Sequence, residues 1–169
     1  IESGAMEPNA AALDLGEVVG SALRRAGKIT AGHRVETSLP DDLPMLRLDP
    51  VLFEQVLFNL IDNAAKYAPA GSLIAIRARQ DDGAVVVEVA DEGPGLPPAD
   101  LERVFDSLYR VSKGDQVRAG TGLGLAICRG FVEAMGGTIA AGNRSDRSGA
   151  VFTIRMPVEA RADSLEPLA

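Results

Sequence analysis

A helical segment that carries two asparagines is followed by two glycine-rich loops, and this order constrains the chain more than any other feature. The segment runs from Asn59 to Tyr67, the first loop from Asp91 to Gly95, and the second from Gly120 to Leu125. Amide oxygens can ligate a metal, a carboxylate can accept a hydrogen bond from a base, and the N–H groups of a glycine loop can hold phosphates. The pattern therefore predicts an ATP site and points to phosphoryl transfer.

The composition excludes several classes of function. The chain has 169 residues, 46% of them hydrophobic, which is enough for one domain with a sizeable core. Its net charge of −7 argues against a nucleic-acid partner, because nucleic-acid binding needs a basic surface. No apolar run approaches the roughly 18 residues of a membrane-spanning helix, so we expect no direct membrane contact for this part of the protein. The single cysteine, Cys128, excludes a disulfide framework and is expected to pack in the core.

The two ends of the chain differ in composition from its middle. Residues 1–12 are small and polar and are predicted to be a linker, residues 13–157 the folded domain, and residues 158–169 a disordered tail. The chain begins at Ile1 without a signal-peptide pattern, so we expect an excised fragment.

Apolar spacing and turn residues together predict an α+β fold. Asp49 followed by Pro50 is a typical helix start, Asp82-Gly83 is a typical turn between two strands, and Gly136-Gly137 is a typical helix end. The predicted helices span residues 14–26, 50–67, 98–105 and 123–135, and the predicted strands span 35–39, 45–48, 72–79, 84–90, 138–141 and 150–156. With residues 106–119 as a mobile loop, these elements predict a two-layer α/β sandwich, a mixed sheet with helices on one face.

Three polar residues share one stripe of the helix over residues 50–67. At about 100° per residue, Asn63 lies roughly 40° from Asn59, and Lys66 about 20° on its other side. The two asparagine oxygens can ligate Mg²⁺, Lys66 can bring a positive charge to a phosphate, and Tyr67 can present its ring to a base. The alternative is a solvated helix face with two chance asparagines, although asparagine is mildly unfavourable inside a helix.

The first glycine loop follows a predicted central strand. Asp91 ends that strand beside the core, where its carboxylate can accept a hydrogen bond from an adenine amino group. Gly93 and Gly95 allow a tight turn and the close approach of a base. Taken alone, the motif is equally compatible with an ordinary turn.

The second glycine loop precedes a predicted helix and can form an anion site from backbone N–H groups. The polar segment before it, residues 113–118, is not strand-like, which disfavours a dinucleotide-binding fold and favours a flexible lid hinged on glycines. Between the loops, Phe105 to Arg110 offers an aromatic patch and an arginine that could anchor the lid and reach phosphates. A surface loop with one core phenylalanine is the alternative for that segment.

In this order and spacing, the motifs resemble the catalytic ATP-binding domain of sensor histidine kinases, within the gyrase, Hsp90, histidine kinase and MutL ATPase superfamily. The resemblance covers residues 13–157 and implies a Bergerat-type ATP-binding sandwich with ATP and Mg²⁺ as cofactors. The matching motifs are the N box (59–67), the G1 box (91–95), the F box (105–110) and the G2 box (120–125). Residues 17–23, 125–129, 136–139 and 143–144 further resemble the potassium-responsive subfamily of these kinases.

The resemblance also implies roles for individual residues. Asn59 and Asn63 would hold Mg²⁺, and Asn59, Lys66 and Arg110 would be the catalytic residues. The residues implied to bind ATP are Asn59, Asn63, Lys66, Tyr67, Asp91, Gly93, Gly95, Leu96, Arg110, Gly120, Thr121, Gly122, Leu123, Gly124 and Leu125.

Part of such a kinase is missing from this sequence. The family's phosphoacceptor histidine lies in a dimerising helix and precedes an acidic residue, whereas His33 is the only histidine here and precedes Arg34. We expect His33 to be a surface residue. The implied partners are the histidine-bearing dimerisation domain of the same full-length kinase, to which residues 1–12 would connect, and a response regulator through that domain. The implied location is the cytoplasmic part of an inner-membrane sensor kinase.

Three rival functions would use the same site. ATP-hydrolysing members of the superfamily carry a glutamate one turn before the metal-binding asparagine; here that position is Asn59, which cannot act as a general base, and Glu54 lies off the stripe. A serine-directed kinase of the anti-sigma type is disfavoured by the F box and the segment after it. A nucleotide-sensing regulator without chemistry stays open, and it would bind ATP without transferring phosphate to an acceptor domain.

Overall fold

The computed structural model describes residues 7–106 and 124–158, and it has the α+β composition that the sequence predicts. In chain order the elements are β1 (Ala11–Leu13), α1 (Leu15–Arg25), β2 (Arg34–Ser38), β3 (Leu46–Leu48), α2 (Pro50–Tyr67), β4 (Leu73–Asp81), β5 (Ala84–Ala90), α3 (Gly124–Ala134), β6 (Thr138–Asn143) and β7 (Ala150–Pro157), with 3₁₀ turns at Pro98–Asp100 and Arg103–Phe105.

The main sheet is mixed and has the strand order β2-β4-β5-β7-β6. Strands β2 and β4 are parallel, and the other neighbours are antiparallel. The nearly continuous apolar run of β5 occupies the centre of the sheet, as predicted, because almost every residue of a central strand is buried. Asp82 and Gly83, with φ of 47° and 79°, form the tight turn between β4 and β5.

The helices cover one face of this sheet, with α2 between α1 and α3. The buried side of α2 presents Phe53, Leu57, Leu60 and Ile61, all fully inaccessible to solvent, to the apolar residues of the sheet. The spacing of these four residues follows the helical repeat, so the face opposite the core is left to polar side chains. This is the two-layer sandwich predicted from the sequence.

The start of α2 is fixed by one carboxylate. Asp49 Oδ1 accepts hydrogen bonds from the backbone N–H groups of Val51 (3.0 Å) and Leu52 (3.2 Å), and Pro50 occupies the first turn. The other oxygen, Oδ2, accepts from the Asn9 N–H at 2.7 Å. The helix ends at Tyr67, as predicted, so the position of its polar stripe is set by both ends.

Two elements differ from the sequence prediction. Ala11 and Ala12, expected in the linker, belong to β1, which pairs antiparallel with β3 through a contact that no local pattern encodes. Residues 98–105, expected as one helix, form two 3₁₀ turns, because so short a segment gains too few α-helical hydrogen bonds to offset the cost of ordering it. The predicted loop beyond residue 106 and the predicted tail beyond residue 158 lie outside the described residues.

His33 is half-buried, whereas the sequence predicts a surface position. Its Nε2 donates to the Ala65 carbonyl of α2 at 3.2 Å, while Nδ1 is buried and has no hydrogen-bond partner in the described part of the chain. No helix within the described ranges combines the length and the apolar character that crossing a membrane requires.

Candidate nucleotide-binding site

Asn59 connects α2 to the end of the second glycine loop. Its Oδ1 accepts a hydrogen bond from Gln55 Nε2 at 2.8 Å, and its Nδ2 donates to the carbonyl of Gly124, the first residue of α3, at 3.3 Å. A solvated helix face with chance asparagines would not make such a contact 65 residues away in sequence. Asn59, one of the three residues of the predicted stripe, is therefore part of a tertiary contact between α2 and α3.

Asn63 and Lys66 occupy the last two turns of α2 and are half-buried. Lys66 Nζ lies 3.3 Å from Asp62 Oδ2, with side chains 35% and 29% exposed. An ion pair this accessible is weak, so Lys66 can exchange Asp62 for another anion at little cost.

Asp91 is held at the end of β5 and is only 4% exposed. Its Oδ1 accepts hydrogen bonds from the backbone N–H groups of Gly93 (2.8 Å) and Ala150 (3.1 Å). Burial raises the pKa of this carboxyl, and the hydrogen bonds from Gly93 and Ala150 and the charge of Arg144 oppose the rise. Both of these hydrogen bonds use Oδ1, so they leave Oδ2 as the oxygen that can accept from a ligand.

The first glycine loop touches the end of α2. A Cβ placed on Gly93 would lie 2.8 Å from the Tyr67 carbonyl oxygen and 3.2 Å from Asp91 Oδ1, so no larger residue fits. Gly95 has φ of 82°, and a Cβ there would lie 2.7 Å from Asn143 Oδ1. Both predicted glycines are thus required for the loop to pack closely against its neighbours.

The turn between β6 and β7, residues 143–149, holds the first glycine loop from the other side. Asn143 Oδ1 accepts from the Leu96 N–H at 2.7 Å, and Asn143 Nδ2 donates to the Leu96 carbonyl at 2.8 Å. Ser148 Oγ donates to the Gly93 carbonyl at 2.6 Å. We call residues 143–149 the clamp turn.

Two arginines of the clamp turn complete this connection. Arg144 Nη1 donates to the Asp91 carbonyl at 3.1 Å, and Arg147 Nη1 pairs with Glu92 Oε2 at 2.8 Å. The other carboxylate oxygen of Glu92 accepts from the Leu73 N–H at 3.0 Å, which extends the network to β4. Sequence reasoning missed these roles, although residues 143–144 were noted for their resemblance to one subfamily.

Phe105, at the start of the predicted F box, is a core residue. Its ring meets Phe152 edge to face, with centroids 6.1 Å apart, and the guanidinium of Arg129 on α3 lies 4.5 Å from its centroid. Gly124 and the half-buried Leu125 form the start of α3. The remaining predicted site residues, Arg110, Gly120, Thr121, Gly122 and Leu123, lie outside the described residues.

The chemistry of the described residues fits a nucleotide with Mg²⁺. Mg²⁺ takes oxygen ligands, often few from the protein. The Gln55 bond uses one of the two lone pairs of Asn59 Oδ1, and Asn63 lies one turn further along α2. Asp91 can offer Oδ2 to an amino group, because the bonds from Gly93 and Ala150 use Oδ1. Moreover, α2 meets both glycine loops, at Gly124 through Asn59 and at Gly93 through the Tyr67 carbonyl.

A comparison with protein families decides the relationship. The family described as histidine kinase-, DNA gyrase B-, and HSP90-like ATPase matches residues 48–160. The chain belongs to this family. The family and its fold are therefore those that the four motifs predict.

Relatives within the family are sensor histidine kinases. Sensor protein KdpD of Escherichia coli strain K12 is 43% identical over 157 residues, which are 93% of this chain and 17% of that protein. The chain thus spans about one-sixth of the length of this relative. The mycobacterial sensor histidine kinase MprB is 27% identical with a TM-score of 0.77, covering 88% of this chain and 97% of that one. Full-length ShkA in complex with AMPPNP is 29% identical with a TM-score of 0.78, covering 91% and 32%.

Proposed function

We propose that this domain binds ATP with Mg²⁺ and transfers the γ-phosphate to a histidine on a separate dimerisation domain of the same full-length kinase. The observation that carries the proposal is the position of α2, which meets one glycine loop where Asn59 donates to Gly124 and approaches the other where the Tyr67 carbonyl lies against Gly93. The sensor-kinase names of the relatives support the reaction, and the complex of ShkA with AMPPNP supports an adenine nucleotide as the ligand.

Asp91 would recognise the base. Its Oδ1 is engaged by two backbone N–H groups, which leaves Oδ2 to accept from the adenine amino group, while guanine presents a carbonyl at that position. Tyr67, at the end of α2 beside Gly93, would place its ring near the base. Gly93, Gly95 and Leu96 would form the wall of this part of the site.

Asn59 and Asn63 would hold the metal, and Lys66 would meet the phosphates together with Arg110 and residues 120–125. Bound Mg²⁺ would neutralise charge on the phosphate oxygens. Phosphoryl transfer depends mainly on positioning and charge neutralisation, so amides and cations suffice and no general base on α2 is required.

The contacts of Glu54 favour a kinase over an ATP-hydrolysing enzyme. Glu54 Oε1 accepts from Ser21 Oγ at 2.6 Å, and Oε2 lies 3.9 Å from Arg25 Nη1, so this carboxylate faces α1. A general base must reach the water that it activates. Glu54 is directed away from the asparagine stripe and is unsuited to that role.

The remaining assignments concern the full-length protein. We infer a two-component sensor kinase of the KdpD type, in which residues 1–12 lead from the dimerisation domain, residues 13–157 form the catalytic domain and residues 158–169 form a tail. A response regulator would act through the dimerisation domain. The domain would lie on the cytoplasmic side of an inner-membrane kinase.

The test is incubation with labelled ATP and a separately produced acceptor-helix domain. We expect Mg²⁺-dependent, acid-labile labelling of the acceptor domain and none of this chain. His33→Ala should leave the transfer intact, since His33 hydrogen-bonds to α2 and has no role in the site.

Two results would contradict the proposal. One is the absence of Mg²⁺-dependent ATP binding by the folded domain in calorimetry. The other is phosphohistidine on the isolated chain that His33→Ala abolishes. Binding of ATP without transfer to the acceptor domain would favour the nucleotide-sensing alternative.

A further inference from the structure

A chain of hydrogen bonds crosses three helices and passes through Asn59. Arg25 Nη2 on α1 donates to Gln55 Oε1 on α2 at 2.8 Å, and Gln55 Nε2 donates to Asn59 Oδ1 at 2.8 Å. Asn59 Nδ2 then donates to the Gly124 carbonyl at the start of α3 at 3.3 Å. The predicted metal ligand is therefore tied to both neighbouring helices through its own carboxamide.

The groups at the two ends of this hydrogen-bond chain, Arg25 and the Gly124 carbonyl, fix the direction of every hydrogen bond in it. A guanidinium can only donate hydrogen bonds, and a backbone carbonyl can only accept them. Gln55 must therefore turn Oε1 towards Arg25, which directs Nε2 towards Asn59. Asn59 must turn Nδ2 towards Gly124, which directs Oδ1 towards Gln55. Reversing either carboxamide would place two donors or two acceptors against each other.

Neighbouring contacts hold both ends of the chain in place. The Arg25 guanidinium lies 4.1 Å from the centroid of the Phe58 ring and 3.9 Å from Glu54 Oε2, so its position does not depend on Gln55 alone. At the other end, the buried Cys128 thiol of α3 donates to the Val56 carbonyl of α2 at 3.7 Å, which holds α3 against the helix that carries Asn59.

We propose that Gln55, held by Arg25, is a positioning residue that sets the orientation of the Asn59 carboxamide. This inference rests on the proposed function, in which Asn59 is a metal ligand. With Nδ2 committed to α3, Oδ1 is the atom left for a cation, and its bond to Gln55 uses only one of its two lone pairs. Partners behind a metal ligand generally fix its geometry in this way.

Two substitutions of Gln55 distinguish a role in orienting the Asn59 carboxamide from a role that only links α1 to α2 through Arg25. Gln55→Glu keeps the side-chain length and a charge-assisted contact with Arg25, but a carboxylate cannot donate to Asn59 Oδ1. Gln55→Met keeps the approximate length and removes both bonds. Glu54→Gln is the matched control, since Glu54 contacts Ser21 and Arg25 and not Asn59.

Calorimetry with AMPPNP, in Mg²⁺ and in EDTA, measures the effect on the metal. For both Gln55 variants we expect the gain in affinity that Mg²⁺ provides to fall about 10-fold, with the affinity in EDTA unchanged. Gln55→Glu should keep the thermal stability of the parent because Arg25 remains paired. Glu54→Gln should keep the whole Mg²⁺ gain. If Gln55→Glu keeps it too, Gln55 only braces the helices and the proposal is wrong.

NMR of the nucleotide-free protein provides an independent reading. We expect the side-chain amide signals of Asn59 to shift and exchange faster in both Gln55 variants, and to stay in place in Glu54→Gln. Unchanged Asn59 signals would overturn the proposal. This NMR measurement needs no nucleotide, so it tests the hydrogen-bond chain even if the parent protein fails to bind AMPPNP. Failure to bind AMPPNP would refute only the proposed function.

Discussion

The two halves of the site are built in different ways. The base side, formed by Asp91 and residues 92–96, is held by backbone groups of β4 and β7 and by the clamp turn. The phosphate side, as far as it is described, consists of side chains from α2 that bond mainly to neighbours one turn away, Gln55 to Asn59 and Asp62 to Lys66. The shape of the base side thus follows from the fold itself, whereas the phosphate side depends on side-chain contacts. Among these, Lys66 can leave its accessible ion pair with Asp62 when a phosphate binds, while two hydrogen bonds hold the Asn59 carboxamide.

The largest effect should come from forcing the clamp turn away from Asp91. A Cβ on Gly149 would lie 2.0 Å from the Asp91 carbonyl oxygen, and the φ of Gly149 is 149°. We expect Gly149→Ala to reduce the free energy of unfolding by about 3 kcal/mol, measured by denaturant titration.

Gly142→Ala is the matched control for that substitution. Gly142 lies in the same hairpin, but the nearest atom to a new Cβ would be Val151 Cγ1 at 3.9 Å. Its stability should stay within about 0.5 kcal/mol of the parent. Equal effects of the two alanines would mean that the contact between Gly149 and Asp91 does not determine the base side.

The next effect concerns ligand binding rather than stability. Asp91→Asn can still accept from Gly93 and Ala150 but would turn an N–H group towards an adenine amino group, which should cost about 1–3 kcal/mol of ATP affinity. Calorimetry with ATP and with GTP measures it. Equal ATP and GTP affinities in the parent would contradict the role of Asp91 in recognising the base.

Asn63→Ala should instead weaken ATP binding only when Mg²⁺ is present.

Acidification should affect binding and stability in opposite directions through Asp91. Burial raises the pKa of this carboxyl above 3.8, so it becomes protonated at a higher pH than an exposed aspartate. Protonation weakens the carboxylate as an acceptor for the adenine amino group, and ATP affinity should fall as the pH falls through the raised pKa.

Stability responds with the other sign. Between 3.8 and the raised pKa the folded state binds more protons than the unfolded state, so the contribution of Asp91 to stability decreases as the pH rises. Asp91→Asn should lose the contribution of Asp91 to both pH dependences, measured over the same range, while the contributions of Glu92 and Asp146, whose pKa values are lowered, remain. A variant that titrates like the parent would assign the effect to another group.

The smallest effects come from one polar contact on each side. Asn143→Ala removes both bonds to Leu96 and should reduce stability by about 1–2 kcal/mol. Asp62→Ala removes an accessible ion pair with Lys66 and should change stability by only about 0.3 kcal/mol. If thermal unfolding shows equal losses, the contrast between the two sides is wrong.

Local signals in the sequence were sufficient for much of the fold. Asp49 and Pro50 predict the start of α2, and Asp82-Gly83 predicts the turn that joins β4 to β5. The period of α2 also predicts which of its residues are buried and therefore which side the asparagines occupy. These features depend on neighbours within a few residues, which a single sequence displays directly.

The features that the sequence did not predict depend on distant partners. Asn143 reaches Leu96 across 47 residues, and the pairing of β1 with β3 follows no repeat. Gln55 lies one turn from Asn59, yet its role becomes visible only when Arg25 and Gly124 fix the two ends of the chain. A polar side chain that bonds to backbone atoms distant in sequence produces no repeating pattern from which a single sequence could reveal the contact.

The two carboxylate oxygens of Asp49 have different functions: one caps α2, and the other binds the segment that precedes β1. Among the residues that the structure describes, Oδ1 accepts from the first turn of α2, and Oδ2 accepts from the N–H of Asn9. Detaching the segment that contains Asn9 would therefore break the bond to Oδ2 while leaving the helix cap on Oδ1 intact. The helix that carries the asparagines is insulated at its first turn, so motion of the preceding chain need not unwind it.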